Sequence, residues 1–265
     1  MEGRVETLVS IMNLKSIEDW EKFIKESNIK EPSLIINQSE FGNINTNIGK
    51  NRIITIKSEV GLSKSRNCAI KNSSGDICIL ADDDIKYVDN YQNIIEEAFE
   101  RNKKADIIIF FVESKNKERK NKRIKNGKIS FLNLMKVRSY EITFKRESVI
   151  NSKVIFDTYY GAGTKITRGE EQIFLADCYR KGLKIISYDK YIGYVENKKS
   201  TWYKGMDLKY LFCQGAVFKR YSKKLCYLLI LQFAIRKHKC YKEKADFFQA
   251  IKEMIKGSKE RVEEK

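Results

Sequence analysis

In the first half of the chain, apolar residues come in short unbroken runs separated by stretches where they recur every three or four positions. Thr7–Met12 (TLVSIM), Ser33–Asn37 (SLIIN), Arg52–Lys57 (RIITIK), Asp76–Ala81 (DICILA) and Asp106–Val112 (DIIIFFV) are runs of strand length. Between them, Ile17–Ser27 carries Ile17, Trp20, Phe23 and Ile24 on one helical face, and helices are predicted from about Leu62 and over Tyr91–Arg101. Unbroken runs belong to strands covered on both faces, so their alternation with helices predicts a mostly parallel α/β sheet. Ligands on such sheets gather beyond the carboxyl ends of the strands. A later helix is predicted over about Gly169–Lys181, and beyond Trp202 the pattern is helical to the end. With no repeat and no Gly-, Ser- or Pro-rich linker, the chain divides into an α/β domain over 1–202 and a basic helical extension over 203–265.

Composition narrows the class. The 265 residues are 42% hydrophobic and 11% aromatic, enough for a full core and too rich for a disordered chain. The formal charge of +17 fits nucleic acid, anionic lipid or phosphorylated substrates as partners. It is unevenly spread: Glu113–Lys128, read as a hairpin or mobile loop, holds eight Lys/Arg against two Glu, and Lys204–Lys242 holds ten against one Asp. The six cysteines form no CxxC pair, which points to a reduced, cytosolic protein. No signal peptide is expected, since Met1–Glu6 lead straight into the first strand. The longest apolar stretch, Leu225–Ile235, has 11 residues, too few to span a bilayer. Its basic flanks suit either a helix packed on the first domain or an interfacial helix on anionic lipid. His238, among lysines, reads as a surface residue.

Candidate chemistry sits where the fourth predicted strand ends. Asp82, Asp83 and Asp84 directly follow ICILA. Three adjacent carboxylates are tolerable in a solvated loop, yet two of them separated by one residue can hold a hard divalent cation and leave positions open for water and phosphate oxygens. Upstream, Gly61–Asn67 (GLSKSRN) opens a helix that Ser63 could cap and Gly75 could end. Arg66 offers a forked donor suited to phosphate, or is an ordinary surface cation of that helix.

The 24 residues GLSKSRNCAIKNSSGDICILADDD resemble the segment of family 2 glycosyltransferases that commonly reads GLSxARNxGI, then GExIxFLDxDD. A weaker resemblance runs from about Glu6 to Trp202. It implies a GT-A fold, in which a Rossmann-like, mostly parallel sheet carries helices on both faces, here followed by a helical tail. It also implies an inverting hexosyl-type transferase that uses a nucleotide diphosphate sugar and Mn²⁺ or Mg²⁺. By correspondence, Asp84 ligates the metal; Asp82 lies by the ribose and donor sugar and shares in the metal site; Asp83 is assigned with them to the donor, and Arg66 lies near the diphosphate. The family's base-binding aspartate is replaced in SLIINQSE, where Asn37 and Gln38 offer amides to a uracil or another base edge. The donor is expected to be UDP-linked.

A second acidic pair opens the later helix. Gly161–Thr164 (GAGT) leads to Arg168–Phe174 (RGEEQIF), with Glu170 and Glu171 in the first turn, where carboxylates favour the helix dipole. The family carries an acidic motif at this place, and its second acid is generally the base. That implies Glu171 as the base, with Glu170 positioning the acceptor or supporting the loop; Asp157 and Trp202 could face the acceptor. The expected partners are a nucleotide-sugar donor, a glycan or polyprenyl-linked acceptor, and an anionic membrane surface, with no nucleic acid. The setting is surface polysaccharide synthesis in the cytoplasm, at the inner face of the membrane. Two other readings remain open. A nucleotidyltransferase of similar fold wants a Gly-rich, basic loop after the first strand, which SIMNLKS lacks. A nucleic-acid-binding protein wants aromatics interleaved on a basic face, away from an acidic cluster.

Overall fold

A computed structural model of the chain describes residues 4–39, 45–56, 60–115, 125–196 and 205–260. Four parallel strands come first: β1 (Val5–Met12), β2 (Ser33–Gln38), β4 (Asn51–Ile56) and β5 (Ile77–Ala81), with the short β3 (Thr46–Ile48) antiparallel on β4. β7 (Ile107–Ser114) and β10 (Ile185–Val195) form a second parallel pair. Antiparallel β9 (Ile142–Lys145) joins the two halves by pairing with both β5 and β7. β6 (Ile85–Tyr87) and β8 (Gly127–Lys128) complete the sheet on β10, giving the order β3-β4-β2-β1-β5-β9-β7-β10-β6.

The unbroken apolar runs are explained by two cores, one on each face. Val9, Ile35, Ile53, Ile77, Ile79 and Ala81 pack with Trp20, Ile95 and Phe99, from α1 (Ile17–Glu26) and α3 (Tyr91–Arg101). The alternate positions Leu8, Leu34, Ile36, Cys78 and Leu80 pack with Ala69, Ile70, Phe174 and Leu175, from α2 (Leu62–Asn72) and α6 (Glu170–Arg180). The pleat thus assigns odd and even residues to different helical layers.

The C-terminal helices are α7 (Leu208–Tyr221), α8 (Cys226–Tyr241) and α9 (Phe247–Ser258). Asp207 and Asp246 cap α7 and α9, each accepting from a backbone N–H three residues on. α7 and α9 cross with their backbones in contact: a Cβ on Gly215 would overlap the Met254 carbonyl, and one on Gly257 the Phe212 carbonyl. α7 also lies against α6 and the loop before it. Cys213, Ala216 and Val217 share a core with Tyr160, Ile166 and Ile173, and Arg220 donates to Asp157 at 3.0 Å and to Asp177 at 2.6 Å.

Several expectations are corrected. Ser63 does not cap α2; its hydroxyl lies inside the first turn and donates to the Tyr160 carbonyl at 2.6 Å. α2 ends at Asn72, and Gly75 serves a close approach instead, its N–H donating to Glu6 at 2.7 Å where a side chain would strike Glu6. Asp157 accepts from Arg220 at 3.0 Å. Trp202, and most of the Glu113–Lys128 run, fall outside the described residues.

Candidate active site

Side-chain parity along β5 aims its terminal carboxylate. Cys78 and Leu80 face the α2–α6 layer, so Asp82, the next even position, falls on the same side. Arg66, in the second turn of α2, waits there. Its Nη2 donates to Asp82 Oδ1 at 2.9 Å and its Nη1 to Glu170 Oε1 at 3.0 Å. The arginine side chain is 3% exposed, with the Phe156 ring 5.5 Å from the guanidinium carbon and Phe156 in turn stacked on Phe174 at 4.2 Å. Burial works against the charge, but Asp82 and Glu170 more than offset it and hold the guanidinium's pKa above its usual value. Ser139, in a short 3-10 turn (Ser139–Glu141), donates to the other Asp82 oxygen at 2.8 Å.

The loop before α6 is threaded between these groups. Leu62 N–H donates to the Ala162 carbonyl at 3.0 Å. Gly161, at φ 108°, passes so close that a Cβ would stand 3.2 Å from both the Glu170 carboxyl carbon and Ser63 Oγ. Gly169 has a φ of 88°, and a Cβ there would overlap Val217 of α7. α6 has no side-chain cap, and Glu170 and Glu171 lie in its first turn, at the positive end of the helix dipole. Glu171 is half-buried and accepts from Gln172 Nε2 at 3.0 Å. Burial, reinforced by the charge of Glu170 beside it, pushes the Glu171 carboxyl up to about 8.

Asp83 is exposed and Asp84 half-buried, at the turn into β6, where the Asp84 carbonyl accepts from Glu196 N–H at 3.1 Å. The structure therefore brings Arg66, Asp82 and Glu170 into one network, with Glu171 following in the same helical turn. Asn37 lies apart from it. Its Oδ1 accepts from Leu14 N–H and its Nδ2 donates to the Leu14 carbonyl, both at 3.1 Å, which fixes the turn after β1. Gln38 donates to the Gly61 carbonyl at 3.1 Å, tying β2 to the start of α2. Sequence reasoning missed Ser139 and Phe156. Ser139 sits in a segment with no apolar period and reaches Asp82 across 57 positions, so no local pattern announces it. Glu141, in the same turn, is buried and accepts from Arg138 N–H at 2.8 Å; burial pushes its carboxyl up to about 7.

The mostly parallel sheet with helices on both faces matches the GT-A glycosyltransferase fold. The family model for glycosyl transferase family 2 matches residues 7–166, and the chain belongs to that family and is a glycosyltransferase. Among solved structures it is similar to S. aureus TarS 1-349 in complex with UDP-GlcNAc, at 12% identity over 96% of this chain and 81% of that one, with a TM-score of 0.63. It is also similar to the mannosyltransferase PcManGT from Pyrobaculum calidifontis in complex with GDP-Man and Mn²⁺, at 11% identity over 97% of this chain and 74% of that one, with a TM-score of 0.53. These likenesses are of fold. No curated protein sequence matches the chain.

Proposed function

We propose that the chain transfers a sugar from a nucleotide diphosphate sugar, UDP-linked, to a hydroxyl of a glycan or polyprenyl-linked glycan, with inversion at the anomeric carbon. The observation that carries this reading is the Arg66 clasp, which joins the carboxylate ending β5 to the acidic first turn of α6 at the ligand-binding edge of the sheet. Solved structures of similar fold are in complex with UDP-GlcNAc and with GDP-Man and Mn²⁺, which supports a nucleotide-sugar donor.

Glu171 is the general base: it takes the proton of the acceptor hydroxyl as that oxygen attacks C1 of the sugar. A carboxyl titrating near 8 is well matched to a proton transfer near neutral pH. Glu170 and Asp82 are held by Arg66, so the clasp orients the two sides of the site. Asp82, with Asp83, faces the ribose and donor sugar, while Asn37 and Gln38 shape the strand end toward the base.

The donor set suits a hard divalent cation. Asp84, with Asp82, would supply the carboxylate oxygens; Asp82 also accepts from Arg66 and Ser139. Among the described residues no group of three or more His, Cys, Asp or Glu is placed to hold a metal ion by itself, so water and substrate phosphate would have to supply the remaining ligands. When bound, the cation would offset charge on the departing diphosphate. The setting is surface polysaccharide synthesis, with the acceptor met at the inner face of the cell membrane.

Titration calorimetry and donor hydrolysis over a panel of nucleotide sugars, with Mn²⁺ or Mg²⁺, test the reading. Asp84→Ala should abolish metal-dependent donor binding, while Glu171→Gln should keep binding and lower transfer about 10²- to 10⁴-fold. If no sugar nucleotide binds the intact protein with either metal, the proposal is wrong.

A further inference from the structure

α8 has two unlike faces. Cys226, Leu229, Ile230, Ala234 and Tyr241 turn into the core shared with α7 and α9. On the opposite side, Leu228 (64% exposed), Leu231 (45%) and Ile235 (61%) follow one another at three- and four-residue spacing, with Tyr227 (55%) beside them. α9 adds Phe248, 79% exposed, next to Phe247, which lies edge-on to His238 of α8 at 6.3 Å. Single exposed apolar side chains are ordinary, whereas a continuous strip of them marks a contact surface.

Charge frames the strip at both ends. Lys223 and Lys224 precede it, and Arg236, Lys239 and Lys242 follow, all exposed. Lys219 lies 5.9 Å from the Tyr227 ring centroid. α8 contains no Asp or Glu, and the acid next in sequence, Glu243, stands between Lys242 and Lys244.

We propose that this face of α8, with Phe248, docks on the surface of an anionic lipid bilayer. The apolar strip enters the boundary between headgroups and acyl chains, and the cationic ends meet lipid phosphates. α8 has 16 residues, and no helix among the described residues is long and apolar enough to cross a membrane, so the helix lies in the plane of the interface. A second copy of the chain fits this face poorly, because parallel and antiparallel pairing alike set cationic end against cationic end. The inference deepens the membrane-face setting proposed above and rests on it; its test does not depend on transfer.

The experiment is flotation of the full chain with phosphatidylcholine vesicles, with and without phosphatidylglycerol, over a range of salt. The chain should float with the anionic vesicles and be released as salt rises. Leu228→Ser, Leu231→Ser and Ile235→Ser together should weaken flotation roughly tenfold or more. Lys223→Glu with Lys224→Glu should weaken it roughly fivefold for each lysine lost. These side chains are exposed, so melting temperature and donor hydrolysis in solution should match the parent's. Equal flotation of parent and triple-serine variant overturns the proposal, as does a parent dimer in light scattering that the same variant splits. A chain that floats as expected but binds no sugar nucleotide with either metal would remove the proposed donor chemistry and leave this inference standing.

Discussion

Arg66 and Gly215 are both buried where helices meet, and they hold those contacts by opposite means. Arg66 joins α2 to α6 and to the end of β5 through two carboxylates. Gly215 joins α7 to α9 by the lack of a side chain, so that the backbones touch. The first contact depends on matched charge and is indifferent to small changes of volume; the second depends on volume and carries no charge. An ionic clasp adds little net stability over a well-packed apolar one, but it dictates which groups come together. That is what a reaction edge needs and a supporting bundle does not.

Charge deletion at the clasp should have the largest effect. Arg66→Met leaves Glu170 buried without its cation and Asp82 with Ser139 alone, and is expected to lose about 3–5 kcal/mol in urea unfolding. Adding Glu170→Gln should recover part of that loss, and no recovery would mean that the clasp is not the cause. Next comes Gly215→Ala. On an exposed helix this change would gain about 1 kcal/mol, but overlap with the Met254 carbonyl should reverse the sign to a net loss of about 1–2 kcal/mol. A stabilised variant would show that α7 and α9 can separate freely.

Titration gives a smaller effect on the clasp side alone. A base works only when deprotonated, so with Glu171 pushed up to about 8, kcat/KM should rise about tenfold per pH unit below that value and level off above it. A profile already flat at pH 6 would exclude Glu171 as the titrating base. Stability should move in the other direction. The folded protein keeps the Glu171 proton at pH values where the unfolded chain has released it, near 4.3, so this contribution is full below about 4 and is lost as pH rises through 8. Glu171→Gln should therefore melt higher than the parent at pH 9, by about 1 kcal/mol or roughly 2–4 °C after discounting for solvent screening, and the gap should close toward pH 4.

Local pattern revealed the central strands and the helices between them, because β1, β2, β4, β5 and β7 are built around short apolar runs. It did not reveal β10, whose IISYDKYIGYV is interrupted by Asp189 and Lys190 where the register on β7 shifts between Tyr188 and Tyr191. β9, at four residues, is too short to show a period and is strand only because β5 and β7 flank it. At the site, the carboxylates and Arg66 could be picked out as residues, since strand ends and helix starts gather ligands. Their partners could not. Arg66 faces carboxylates instead of open solvent because α6, 104 positions away, delivers Glu170 to it. Asn37 has the chemistry of a base reader, and no local pattern shows that its amide also bonds the Leu14 backbone.

The contact between Val217 and Gly169 has a mechanical meaning. α7 stands behind the residue that immediately precedes Glu170, like a stop behind a hinge pin. Shortening the chain ahead of α7 would free the root of the very turn that carries Glu171, the proposed base, and would strip Asp157 of its counter-ion and leave Asp177 with Arg180 alone. The C-terminal helices are thus part of the tool itself, not a handle attached to it.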